Sequence, residues 1–284
     1  MGSRRLSAVD WARQSIAAVA LGILLVALVP VTIGTVAYFA IGYGPNAEAL
    51  TTVEGNEAIT IERFDRGTAV RSGPITNNTV GVVYYPGARV NHESYVPTAA
   101  LIVTERHIVV VIVDMPLNLA VLAPNRAADA MATQPAVESW NIAGHSLGGA
   151  MACRYAADNA ADLDGLVLHA AYCDVDISHS DLRVLSVLGT DDGVLNADRE
   201  RKHRALLPAD AEIVELDGVN HAGFGAYGPQ RGDTPATREP SAMRADVADV
   251  TGSWLVRPNI GTTNETTVNT TANESAKTSA IYTG

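Results

Sequence analysis

Ser139-Trp140-Asn141-Ile142-Ala143-Gly144-His145-Ser146-Leu147-Gly148-Gly149-Ala150-Met151-Ala152 is the stretch whose reading decides the fold. Residues Ser139 to Ala143 read as a strand, and the Ala-rich run from Leu147 to Asp158 reads as a helix. The G-x-S-x-G string at 144–148 therefore falls where a strand turns directly into a helix, the context a nucleophile elbow requires. Such a turn is so tight that a side chain at 144 or 148 would strike the neighbouring strand or helix, hence glycine at both. Ser146 is expected in a strained conformation, its oxygen exposed above a sheet and close to a helix N-terminus.

A serine hydroxyl is a poor nucleophile until a base takes its proton, so the elbow predicts an acid and then a histidine further along the chain. Both are found after strand-like runs, where α/β active sites lie. Val184 to Leu188 is followed by Gly189-Thr190-Asp191-Asp192-Gly193, and Ile213 to Leu216 by Asp217-Gly218-Val219-Asn220-His221-Ala222-Gly223-Phe224. His221 is assigned as general base and then general acid, with Asp192 holding its ring and stabilising the imidazolium. Asp191, next to it, and Asp174, one strand earlier, are alternatives for the acid. The other six histidines lack a strand-end loop in this order or, for His145, sit within the elbow, and read as packed or surface residues. The oxyanion needs amide donors: Leu147 N–H after the nucleophile, and Ala88 N–H in the loop Pro86-Gly87-Ala88-Arg89-Val90, where Gly87 allows the turn. The expected oxyanion hole is thus Ala88, Gly87 and Leu147.

Working outward, continuous apolar runs at Val80 to Tyr85, Ile108 to Val113, Leu166 to Ala170, Val184 to Leu188 and Ile213 to Leu216 read as strands buried on both faces. Helical patterns lie between them at Pro97 to Glu105, Asn125 to Thr133, Leu147 to Asp158, Ala197 to Leu207 and Ser241 to Leu255. The alternation implies a doubly wound, mostly parallel α/β sheet spanning residues 48–258. Only about a dozen residues separate Cys173 from Val184, too few for a large lid. Gly223 to Asp233, rich in Gly and aromatic residues, reads either as a wall of the site or as a loop packed on the sheet. Cys153 and Cys173 exclude a disulfide scaffold and a cysteine-based zinc site. They are expected as two buried thiols, although export would permit a disulfide.

The remaining segments are unlike this body. Between Arg13 and Glu48 there is no charged side chain, and Ile16 to Tyr43 is apolar apart from two threonines, glycines and Pro30. The run exceeds the roughly 7 to 15 apolar residues of a cleaved signal peptide and the roughly 20 that span a bilayer. Residues 1–47 thus read as an uncleaved transmembrane anchor, and Arg4, Arg5 and Arg13 before it predict a cytoplasmic N-terminus and an extracytoplasmic body. Residues 259–284 form a Thr- and Asn-rich tail with little to bury, read as disordered. Asn264, Asn269 and Asn273 in it, and Asn77 in the body, open N-x-S/T triplets and are candidate glycosylation sites.

The 284 residues carry 20 Lys plus Arg against 31 Asp plus Glu, a net charge of −11, which excludes the basic stripe that nucleic acid requires. Setting aside the first 47 residues leaves 17 basic and 30 acidic, or −13 on the remainder, and Lys occurs only at 202 and 277. That balance fits either a surface working in concentrated salt or an Arg-rich coding bias. No metal-ligand spacing or phosphate loop is present, so no cofactor is expected.

Taken together, Tyr84 to Val90, Asp114 to Leu122, the elbow, Gly189 to Gly193 and Asn220 to Asp233 resemble the α/β-hydrolase superfamily. Within it they resemble a dienelactone-hydrolase-like group of small membrane-anchored serine hydrolases. The resemblance covers about Val80 to Leu255 and implies Ser146, Asp192 and His221 as the triad. The expectation is a membrane-tethered serine hydrolase acting on a small-molecule carboxylic ester, lactone or thioester. Acyl transfer through the same triad, or a catalytically silent surface binding module, are the alternatives.

Overall fold

The computed structural model describes residues 32–257. They form one eight-stranded sheet in the order β1-β2-β4-β3-β5-β6-β7-β8. Strands β1 (Thr60–Phe64) and β2 (Gly67–Arg71) make an antiparallel hairpin, and β2 pairs antiparallel with β4. From β4 (Ile108–Val113) through β3 (Val80–Tyr85), β5 (Ser139–His145), β6 (Gly165–His169), β7 (Arg183–Gly189) and β8 (Glu212–Leu216) all pairs are parallel.

The apolar runs are strands because both faces of the sheet are covered. In β4, Val109, Val111 and Val113 enter one core while Ile108, Val110 and Ile112 enter the other, none more than 1% exposed. Each such side chain contributes roughly 1.5–3 kcal/mol by burial. Of the helices, α1 (Ala47–Glu54), α2 (Val96–Val103) and α6 (Pro240–Leu255) pack on the second core, and α3 (Arg126–Ala132) and α4 (Leu147–Asp158) on the first. Helix α5 (Ala197–His203) lies between β7 and β8 in sequence. The connection between β6 and β7, residues 170–182, has no helix, so no lid is inserted there.

Three features depart from expectation or lie beyond it. The hairpin β1–β2 and helix α1 are additional elements; α1 begins where the Asn46 side chain accepts from Ala49 N–H at 2.9 Å. Cys153 on α4 and Cys173 beyond β6 are joined in a disulfide with Cα atoms 5.5 Å apart, instead of forming two separate thiols. Their approach follows from the β5–β6 pairing, which brings the chain after β6 alongside the helix that leaves β5. The expected membrane span lies mostly outside the described residues, among which no helix is long and apolar enough to cross a membrane. Residues 32–40 are helical, and Tyr43 then bridges to Val90. The tail with Asn264, Asn269 and Asn273 also lies outside the described residues, while Asn77 is exposed in a turn.

Candidate active site

The elbow forms where β5 ends and α4 begins. Ser146 has φ 55° and ψ −124°, a region that a residue with a Cβ enters at a cost of about 1–3 kcal/mol. The strain is held by packing: a Cβ on Gly144 would lie 2.5 Å from the Gly148 carbonyl, and one on Gly148 would lie 2.2 Å from Tyr85 O. Ser146 N–H donates to His169 O at 2.9 Å, which fixes the turn against β6.

The loops after β7 and β8 meet at the same end of the sheet. His221 Nδ1 lies 2.8 Å from Asp192 Oδ2, with the two side chains 1% and 4% exposed. A carboxylate only accepts, so the ring proton is on Nδ1 and Nε2 is the bare acceptor nitrogen. Nε2 is buried and takes no hydrogen bond among the described residues. The other oxygen of Asp192 accepts from Val194 N–H and Leu195 N–H, both at 2.8 Å, which fixes the carboxylate's plane. Neither alternative acid reaches the ring. Asp174 is paired through both oxygens with Arg154, at 2.9 and 2.6 Å, and Asp191 accepts from the Thr237 hydroxyl.

Asp233 ties the two loops together, a role no sequence motif signals. Its carboxylate accepts from Gly193 N–H and His221 N–H, both at 3.1 Å, and from Ala222 N–H and Thr234 N–H, both at 2.9 Å. One side chain thus spans the loop carrying Asp192 and the loop carrying His221. Residues 223–226 are buried, with Phe224 fully so and its ring stacked 5.5 Å from that of His145, while Gly228, Pro229, Arg231 and Gly232 are exposed.

Beneath His221 lies a buried polar layer that reading by motif passes over. The His145 ring sits 4.4 Å from that of His221, and its Nδ1 is 2.9 Å from Tyr95 Oη. Tyr95 Oη also accepts from Gly87 N–H at 3.0 Å. The Gly87 amide is therefore committed within the protein, and what Gly87 contributes is room: a Cβ there would lie 2.7 Å from His145 Nδ1. Among the described residues no acceptor takes a hydrogen bond from the amides of Ala88 or Leu147. Burial first, then the charges available to His221 and His169, hold His145 well below the ordinary histidine range. Burial pushes His169 down to about 3. A neutral His145 under His221 leaves that ring free to take a proton without like-charge repulsion.

The family model of the alpha/beta hydrolase family matches residues 81–245. The chain belongs to the alpha/beta hydrolase family. Among solved structures, this alpha/beta hydrolase is similar to a predicted CIB-like hydrolase from Thermoplasma acidophilum, with TM-score 0.52 and 14% identity over 69% of this chain and 99% of that one. It is also similar to dienelactone hydrolase from Anabaena variabilis, with TM-score 0.51 and 15% identity over 70% and 97% of the two chains. A Pyrobaculum calidifontis esterase gives TM-score 0.53 and 15% identity over 73% and 89%. These likenesses establish the hydrolase fold. No curated protein matches the alpha/beta hydrolase in sequence.

Proposed function

We propose that this alpha/beta hydrolase is a membrane-tethered serine hydrolase that cleaves a small carboxylic ester, lactone or thioester through an acyl-Ser146 intermediate. The observation that carries the reading is the His221–Asp192 pair, with a bare Nε2, at the same end of the sheet as a serine held in a strained elbow. Ser146 Oγ attacks the acyl carbon as His221 Nε2 takes its proton, and Asp192 stabilises the imidazolium. The oxyanion that forms is held by the uncommitted amides of Ala88 and Leu147, with Leu147 at the N-terminus of α4. Collapse expels the alkoxide or thiolate, which receives the proton from His221. Water then attacks the acyl-serine with His221 again as base, and the freed acid leaves Ser146 restored. Asp233 is a positioning residue that sets the His221 loop against the Asp192 loop. Tethering is supported by the uncharged, largely apolar run from Ile16 to Tyr43.

The test is turnover of short-chain aryl esters by the detergent-solubilised full chain and by Ser146→Ala. The wild type should hydrolyse them, and the variant should lose that activity while unfolding at the same temperature. Equal turnover by both proteins would refute the mechanism.

A further inference from the structure

Large apolar side chains exposed to solvent are not scattered over this molecule. Of ten among the described residues, Ile33, Val36, Tyr38 and Ile41 lie on the segment leading into the body, and Leu117, Val121, Leu122 and Val194 on loops at the C-terminal edge of the sheet. Eight of ten therefore fall on the edge that carries Ser146 or on the segment that joins it.

The two groups are physically connected. Asn118 Nδ2 lies 3.2 Å from Phe39 O and from Ala40 O, and Asn118 O accepts from Arg89 N–H at 2.8 Å. Arg89 donates to Tyr38 O at 2.9 Å and lays its guanidinium 3.7 Å above the Tyr38 ring. Tyr43 N–H donates to Arg89 O at 2.6 Å, and Asn91 N–H to Tyr43 O at 2.9 Å. The end of the apolar segment is thus stitched both to the loop after β4 and to the loop that carries Ala88. The loop after β4 also packs on α4, where Ala120 shares a core with Met151.

This loop is built to present apolar side chains. Leu117 and Asn118 both hold positive φ, 53° and 54°, an uncommon and costly backbone for residues with a Cβ. No charged residue occurs from Met115 to Asn125, on a chain that carries −13 outside the first 47 residues. An apolar, uncharged rim on an otherwise strongly acidic surface marks a contact with something apolar. What covers it is given by the chain: residues 32–41 continue upstream as an apolar run reaching back to Ile16, long enough with them to cross a bilayer.

We propose that the Leu117–Leu122 rim and residues 32–41 form one bilayer-contact surface, and that the substrate is an ester dissolved in the membrane. It enters the site from the lipid side. This deepens the serine-hydrolase reading and rests on it for the substrate, while the bilayer contact rests on the surface alone.

Full-length protein reconstituted in phosphatidylcholine vesicles tests both parts. In the first arm, Leu117→Glu/Val121→Glu/Leu122→Glu is compared with wild type on water-soluble p-nitrophenyl acetate and on p-nitrophenyl palmitate carried in the vesicles. The variant should turn over the palmitate at least about tenfold more slowly and the acetate within about twofold of wild type. An equal change on both substrates, or none on either, overturns the lipid-phase substrate, and the acetate rate reports whether the variant has folded. In the second arm, a nitroxide on Val121→Cys should collide with lipid-dissolved oxygen far more often than with a water-soluble nickel chelate. The reverse order overturns the bilayer contact. If wild type hydrolyses neither ester, the serine-hydrolase reading and the lipid-phase substrate fall together, and the nitroxide still decides the surface.

Discussion

Acid should destabilise this protein through a residue that never touches substrate. His169 ends β6 directly behind the elbow, with no exposed surface, and its carbonyl receives Ser146 N–H. Its Nε2 lies 2.9 Å from Thr251 Oγ1, whose own proton is committed to Val247 O, so Nε2 is the protonated nitrogen and Nδ1 accepts from Tyr84 Oη at 3.1 Å. Both ring nitrogens are satisfied only in the neutral form, and burial holds the folded pKa at about 3. The unfolded chain regains a pKa of about 6.5. Below that pH the unfolded state binds a proton that the folded state does not, so stability falls with falling pH by about 1.4 kcal/mol per unit until the folded pKa is reached. At pH 5 the loss from His169 is about 2 kcal/mol, and His145, also held low, acts in the same direction. Denaturant unfolding at pH 7, 6 and 5 should be run on wild type and on His169→Gln. The variant should be less stable at pH 7 by about 1–3 kcal/mol for its poorer hydrogen bonds, and its deficit should shrink by about 2 kcal/mol at pH 5. A deficit constant across this range would show that His169 titrates normally and would refute the reasoning.

Other consequences follow from the same geometry. Asp233→Ala frees four backbone donors and loosens the two loops; kcat on a soluble ester should fall by roughly 10- to 100-fold, with loss of the downfield proton signal of His221 Nδ1–H in NMR spectra. Replacing Cys153 and Cys173 by serine reopens a link across 20 residues and should cost about 3 kcal/mol in denaturant unfolding. Gly148→Ala places a Cβ 2.2 Å from Tyr85 O, and because a strand carbonyl cannot move aside, the loss should be about 3 kcal/mol or more, seen as a lowered unfolding temperature.

The sheet's parallel centre was legible because strands such as β4 bury both faces and so lack polar interruption. The hairpin was not: Glu62, Arg63, Asp65 and Arg66 break its apolar pattern, since β1 lies at the sheet's edge with part of its length exposed. The separation of Ser146, Asp192 and His221 along the chain was readable because each follows a strand of one sheet, so topology alone carries them to one edge. Tyr95, His145 and Asp233 left no such mark. Tyr95 acts on the Pro86–Val90 loop only because α2 begins beside it, and Asp233 works through backbone amides whose sequence carries no signature. The oxyanion loop could be located by its Pro-Gly pair and Ala88 named as its donor, but that Tyr95 claims the Gly87 amide carried no sequence signal. Asp174 follows β6 as Asp192 follows β7, so position along the sheet left it open as the acid, and its pairing with Arg154 takes it away from the ring.

If Ser146 is an activated nucleophile, a fluorophosphonate captures it without knowledge of its substrate. Intact-mass measurement of the full chain after exposure to the probe, followed by peptide mapping, should give one adduct per molecule on Ser146, with labelling strongly slowed in His221→Ala. Absence of an adduct on folded wild-type protein, or equal labelling of the His221 variant, would contradict the account.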